Sequence, residues 1–208
     1  MFRPPVFRED RPEVLHDIIR RHPLATLITY GATGIVANLV PFTLATGPDG
    51  SLHLRAHLAK ANGQLADLRE GAETLVIFQG PEAYVTPSWY PTKAEHGKVV
   101  PTWNYVVVQV RGRPAVIEDP SWLRDQIDDL TALQEGSRTK PWAVDDAPEP
   151  FIAGQFKGIV GVEIPIESIE GKTKASQNQP ANNRAGVVAG LREQDDSSAM
   201  AAIVALKQ

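Results

Sequence analysis

A chain of 208 residues, 42% hydrophobic and 22% charged, is long enough for one substantial core and too apolar for extended disorder. Its formal charge of −4 argues against a protein whose main business is coating nucleic acid, which needs a clustered excess of Lys and Arg. The absence of cysteine excludes disulfides, thiolate catalysis and cysteine-ligated zinc.

The N-terminal stretch Met1-Phe-Arg-Pro-Pro5 has no apolar h-region, and no apolar run approaches the roughly 20 residues of a membrane span. A cytoplasmic protein with no membrane partner is expected. Residues 10–21 predict an amphipathic helix: Asp10 caps it, Glu13 completes a capping box, and Val14, Leu15, Ile18 and Ile19 form its apolar stripe. His22-Pro23 ends it. Strands are expected over 24–30 and 35–46, joined through Gly31-Ala-Thr-Gly34, and again over 52–56 after the turn Gly47-Pro-Asp-Gly50.

A helix is expected over 61–68, ending before Gly71. Strands over 74–78 and 83–86 flank Gly80-Pro81, and a long strand over 105–117 is kinked at Gly112 and Pro114. Asp119-Pro120 opens a helix that places Trp122, Leu123, Ile127 and Leu130 for burial. The polar, proline-rich stretch 138–150 reads as a surface connection, 159–169 as the last strand, and 185–191 and 198–206 as terminal helices. Six or seven mainly antiparallel strands with helices between them predict a mainly β, α+β fold, a small barrel rather than a doubly wound sheet.

No P-loop, G-x-G-x-x-G or G-x-S-x-G motif is present. His53 and His57 can share one face of a strand, but a metal would need further ligands, so a polar pocket and a metal site compete there. Lys60 and Asn62 stand where a strand meets a helix. A phosphate would gain free amides and a cation at that point, and a merely polar turn is the alternative. Thr86-Pro-Ser-Trp-Tyr90 and Val100-Pro-Thr-Trp-Asn-Tyr105 suit a flat ligand, a dimer interface or a core. Gly171-Lys-Thr-Lys-Ala-Ser-Gln-Asn178 is either an anion contact or a solvated loop, and Arg111 and Arg113 read as solvated.

Taken in order, these pieces resemble a known family. Arg21-His-Pro-Leu-Ala-Thr-Leu27, Ala37-Asn-Leu-Val-Pro-Phe42, His57-Leu-Ala-Lys-Ala-Asn62 and Val76-Ile-Phe-Gln-Gly-Pro81 are followed by the two tryptophan motifs and Ile169-Glu-Gly-Lys-Thr-Lys-Ala-Ser-Gln-Asn178. The series, which spans residues 1–191, is similar to the FMN-binding negative transcriptional regulators typified by PaiB. The resemblance implies an FMN-binding split β-barrel, related to flavin reductases and pyridoxamine-phosphate oxidases, over residues 1–170. It leaves 171–208 as a C-terminal segment with helices packed on the barrel or the dimer partner.

It further implies a homodimer with FMN between the protomers. Asn38, Leu39, Val40 and Pro41 would lie against the ring edge, and His57 and Lys60 at the phosphate with Arg55, Asn62 and Gln64 nearby. Trp103 and Asn104, or the segment containing Lys174 and Gln177, would come from the partner. The stretch Ala181-Asn-Asn-Arg-Ala-Gly186 has no acidic residue, where such relatives often carry one. The family name implies a DNA or protein partner, yet no helix-turn-helix is evident, and the terminal helices around Gly190 carry few basic residues. An FMN-dependent oxidoreductase acting on a small ligand is the competing function.

Overall fold

Strand and helix boundaries follow the punctuation of the sequence. The computed structural model describes residues 1–32, 34–194 and 198–206, so Thr33 of the first expected turn lies outside the described residues. In chain order the elements are β1 (Arg8–Glu9), α1 (Pro12–Arg21), β2 (Leu24–Gly31), β3 (Gly34–Pro41), β4 (Thr43–Thr46), β5 (Leu52–Ala59), α2 (Leu65–Arg69), β6 (Thr74–Val85), α3 (Thr92–His96), β7 (Thr102–Gly112), β8 (Ala115–Ile117), α4 (Pro120–Glu135), α5 (Glu149–Phe156), β9 (Ile159–Pro165), β10 (Ser168–Lys174), α6 (Ala181–Arg192) and α7 (Ser198–Leu206). The backbone clusters into a central unit, His16–Phe78 with Gln109–Ile169, and a terminal unit, Met1–Leu15 with Gln79–Val108 and Glu170–Gln208.

In the central unit, β4, β5, β9 and β8 form an antiparallel four-stranded sheet in that order. The β2–β3 hairpin pairs in register from Leu24↔Pro41 to Gly31↔Gly34, and β2 also pairs with the start of β6. Phe42 alone separates β3 from β4, and Arg113-Pro114 separates β7 from β8, so a short break turns each strand line from one sheet into the other. The proline explains the second corner, because it has no amide to continue a ladder. The core contains Leu27, Phe42, Leu54, Val76, Phe78, Val160, Val162 and Ile164, none of them accessible to solvent. Phe42 and Phe78 meet edge-on with centroids 6.1 Å apart.

α4 covers this sheet on the β5 and β9 side. Asp119 caps it as expected, its carboxylate accepting the Trp122 amide at 2.8 Å. Leu123 and Gln126 are its buried positions, while Trp122, Ile127 and Leu130 are half-buried. Trp122 sits over Gly161, where an added Cβ would come within 2.3 Å of the ring.

In the terminal unit, β1, β10, β7 and β6 lie side by side in that order. Its core holds Leu15, Val85, Val108, Val187, Leu191, Met200 and Val204. α6 approaches the Pro87–Trp89 turn through two glycines a helical turn apart. A Cβ on Gly186 would meet the Trp89 carbonyl oxygen at 1.9 Å, and one on Gly190 the Trp89 ring at 2.2 Å.

Several expectations need correction. Asp10 does not cap α1, because its carboxylate accepts from Arg3 and the helix starts at Pro12. The strand expected over 52–56 runs to Ala59, and the helix expected from Ala61 begins only at Leu65. Asn62 Oδ1 accepts the Gln64 amide at 3.0 Å, an Asx turn that holds the backbone out of the helix. β6 runs unbroken through Gly80-Pro81. Its buried positions change from Thr74, Val76 and Phe78 to Ala83 and Val85, a one-residue shift of the kind a bulge makes, which accommodates the proline. The last expected strand is two strands, broken after Pro165. The polar connection ends in α5, hidden from a propensity reading because its proline occupies the first turn, where prolines are tolerated.

Candidate functional site

The residues expected to meet a cofactor fall into two groups, one in each unit. In the central unit the alternation of β3 sends Asn38 and Val40 to one face and Leu39 and Pro41 to the other. Asn38 Nδ2 donates to Gln64 Oε1 at 3.0 Å. Gln64 is 2% exposed, and its amide reaches the Leu27 carbonyl (3.1 Å), Thr29 Oγ1 (3.3 Å) and the Val36 carbonyl (3.3 Å). Thr29 Oγ1 in turn donates to Asp67 Oδ2 at 2.7 Å. A chain of buried hydrogen bonds therefore ties α2 to the hairpin and fixes Asn38. The Gln64 side chain is thus spent on internal hydrogen bonds.

The turn between β5 and α2 carries Lys60. Its own amide extends the β ladder to the Gly158 carbonyl (2.8 Å), and the Asn62 amide returns to the Ala59 carbonyl (2.9 Å). The amides of Ala61 and Gly63 have no acceptor among the described residues, nor has the Lys60 ammonium a partner. The stretch Ala59–Gln64 contains no acid. Unspent donors around one free cation fit a phosphate, although the donors come from a turn and not from the helix end expected from the sequence.

Arg55 and His57 share the face of β5 with His53, as their spacing requires. They turn toward α4. The Arg55 guanidinium lies 4.3 Å from the Trp122 ring centroid and 3.5–3.6 Å from Asp129 and Glu163. Its charge is thus answered twice within the protein. His57 Nδ1 donates to Gln126 Oε1 at 2.7 Å. Gln126 is fully buried and was not anticipated, although its position three residues beyond Leu123 on the helical stripe was a signal. No group of three His, Cys, Asp or Glu among the described residues could hold a metal.

In the terminal unit Asn104 is fully buried and donates to Ser176 Oγ at 2.9 Å. Ser176 has φ of 60°, a left-handed conformation that a non-glycine residue holds only under local constraint. Gln177 supplies part of that constraint, its amide bridging the Thr173 carbonyl and the Ala175 amide, both at 2.6 Å. Lys174 Nζ donates to Thr102 Oγ1 and the Trp103 carbonyl. Burial pushes its ammonium below the ordinary lysine range; Tyr105 opposes the shift and Lys172 adds to it. Trp103 is half exposed and meets Tyr84 edge-on at 5.8 Å. The two tryptophan motifs thus part company: Tyr90 is buried and Trp89 packs on α6, whereas Trp103 presents its ring outward.

The family model described as "Putative FMN-binding domain" matches residues 1–168. The chain belongs to this FMN-binding family. Its cofactor is FMN. The chain is similar to the uncharacterized protein AN0679 of Emericella nidulans, with 35% identity over 92% of this chain and 90% of that one. It is also similar to the protease synthase and sporulation protein PAI 2 of Bacillus subtilis, with 27% identity over 96% of this chain and 93% of its relative. Among solved structures, the FAD and heme binding protein of Mycobacterium smegmatis superimposes with a TM-score of 0.59 at 20% identity, covering 80% of this chain and 73% of that one. That likeness is one of fold. The FMN-binding chain has the mainly antiparallel split β-barrel architecture with peripheral helices, and no helix among the described residues is long and apolar enough to cross a membrane.

Proposed function

We propose that the protein is a homodimeric FMN-binding regulator of the PaiB type, pairing through the outer face of the β2–β3 hairpin and holding the flavin at that interface. The observation that carries this reading is the apolar exposure of the hairpin: Leu24 is 57%, Tyr30 72%, Ile35 76% and Leu39 67% exposed. All four lie on one face, since Tyr30 pairs with Ile35 and Leu24 with Pro41. Burying such side chains gives about 1.5–3 kcal/mol each, enough from two copies to meet an association cost of about 4–15 kcal/mol.

FMN supplies a flat redox-active ring and a phosphate dianion. Lys60 and the Ala61 and Gly63 amides take the phosphate, Leu39 and Pro41 offer an apolar edge, and Asn38 a polar one. Trp103, with Lys174 and Gln177, belongs to the face the partner contributes, and buried Asn104 holds Ser176 behind it. The regulatory role is supported by the similarity to PAI 2 along nearly the whole chain. Sedimentation velocity with flavin titration tests the reading. Leu39→Asp is expected to yield a monomer that loses FMN, and Lys60→Ala a dimer that binds FMN more weakly by roughly tenfold or more. A monomeric wild type that holds FMN would sink it.

A second reading, an FMN-dependent oxidoreductase, is favoured by the outward Tyr84–Trp103 pair, which offers a ring face to a flat co-substrate. Anaerobic mixing of the FMN-loaded protein with NADPH or NADH should then bleach the flavin spectrum, and an unchanged spectrum rules out nicotinamide-linked turnover.

A further inference from the structure

The terminal unit contains a cleft of about 240 Å³ lined by Tyr90, Thr92, His96, Lys98, Val99, Val100, Gln179, Pro180 and Asn183. None of the residues proposed to hold FMN lines it. Its polar wall is divided sharply. Thr92 and Asn183 satisfy one another, with Oγ1–Oδ1 and Nδ2–Oγ1 distances of 3.1 and 3.0 Å, and Asn183 also donates to Gln179 Oε1 at 3.0 Å.

The groups left over are donors. The Lys98 ammonium and the Gln179 side-chain amide nitrogen have no partner among the described residues. The Lys98 amide donates to His96 Nδ1 at 3.0 Å, which leaves the proton of a neutral His96 on Nε2. The Tyr90 hydroxyl is buried without a hydrogen-bond partner among the described residues, a costly state for a polar group. Burial also pushes that phenol above the ordinary tyrosine range, so it is protonated at neutral pH and able to donate.

Gln179, Pro180 and Asn183 bring to the same cleft the start of α6, a 12-residue helix that begins without a side-chain cap. The Ala181 and Asn182 amides have no acceptor among the described residues. An uncapped helix start attracts negative charge through these free amides and the helix dipole. No aspartate or glutamate is among the lining residues. The lining also includes Val99, Val100 and Pro180, apolar side chains that a bare inorganic anion would leave unused.

We propose that this cleft binds a small organic carboxylate with an apolar body, the carboxylate met by Lys98 and the start of α6 and the body set against Val99, Val100 and Pro180. The volume falls below the roughly 300–1,000 Å³ of drug-sized sites, so the occupant is a small molecule.

Calorimetric titration of the FMN-loaded, full-length protein with sodium benzoate tests this, with benzyl alcohol and inorganic phosphate as comparison ligands. Benzoate is expected to bind saturably and about tenfold or more tightly than benzyl alcohol, the margin of one charge-assisted contact. Lys98→Gln, at an exposed position, should weaken benzoate roughly tenfold while flavin content and melting midpoint stay unchanged. Tyr90→Phe should weaken it several-fold. Absence of saturable benzoate binding, an unaltered affinity in Lys98→Gln, or phosphate binding as tight as benzoate would each overturn the proposal. Displacement of FMN by benzoate would also overturn it, by making the cleft part of the cofactor site.

Discussion

Gln64 shows how one side chain settles the local structure around the turn between β5 and α2. It is buried and makes four hydrogen bonds that join β2, β3 and the turn before α2. Replacing it with leucine keeps the bulk and strands the polar groups it served, at a cost of about 2 kcal/mol. Urea denaturation should show that loss, and flavin affinity should fall with it because Asn38 loses its anchor. An unchanged midpoint would mean that these groups find other partners. The resemblance to a family implied Asn38, Lys60 and Gln64 together as neighbours of a cofactor. That implication did not distinguish Gln64, which holds the turn together, from Lys60, whose ammonium has no partner among the described residues, since both are polar residues in one polar stretch. Arg55 was equally opaque: its two carboxylate partners, Asp129 and Glu163, come from distant parts of the chain.

Helix α6 makes the same point for an element. Its glycines at 186 and 190 read as weak helix formers, and propensity favours alanine at either position by about 1 kcal/mol. Close approach wins instead, because a Cβ on Gly186 would collide with the Trp89 carbonyl, which is backbone and cannot rotate away. Gly186→Ala should therefore destabilise the protein by about 1–3 kcal/mol despite the gain in propensity, and thermal melting will read the sign. A stabilised variant would show that α6 can move off the Trp89 turn. Elements whose boundaries rest on local chemistry were legible: the Asp119-Pro120 start of α4, the corner at Gly112 and Pro114, and the β2–β3 hairpin. Those set by tertiary context were not. The delayed start of α2 depends on a side chain closing an Asx turn, and the unbroken β6 changes the phase of its buried positions across Gly80-Pro81.

At the scale of the molecule, pairing through the exposed apolar hairpin, as proposed, would make stability a matter of association. If two copies bury Leu24, Tyr30, Ile35 and Leu39 between them, the melting midpoint should rise with protein concentration. FMN at a hundredfold excess over its dissociation constant should add about 2.7 kcal/mol, roughly 5–10 °C for a chain of this size. A midpoint indifferent to protein concentration would contradict the paired state. The fold class was readable because alternation and turn residues recur through the chain. The division into two units was not, since it depends on contacts between stretches far apart in sequence.

The terminal unit is assembled from the beginning, the middle and the end of the chain. On a ribosome, Tyr90 and Lys98 emerge well before Asn183, and 91 residues separate Gln79 from Glu170, which at common elongation rates is a delay of about 5–20 s. Throughout that interval the Trp89 turn has no α6 to cover it. The nascent chain therefore passes through a window of exposure to chaperones and to aggregation that closes only when the segment from Glu170 through α6 arrives. Synonymous codon changes that slow translation between residues 109 and 169 should lengthen that window without altering the finished protein.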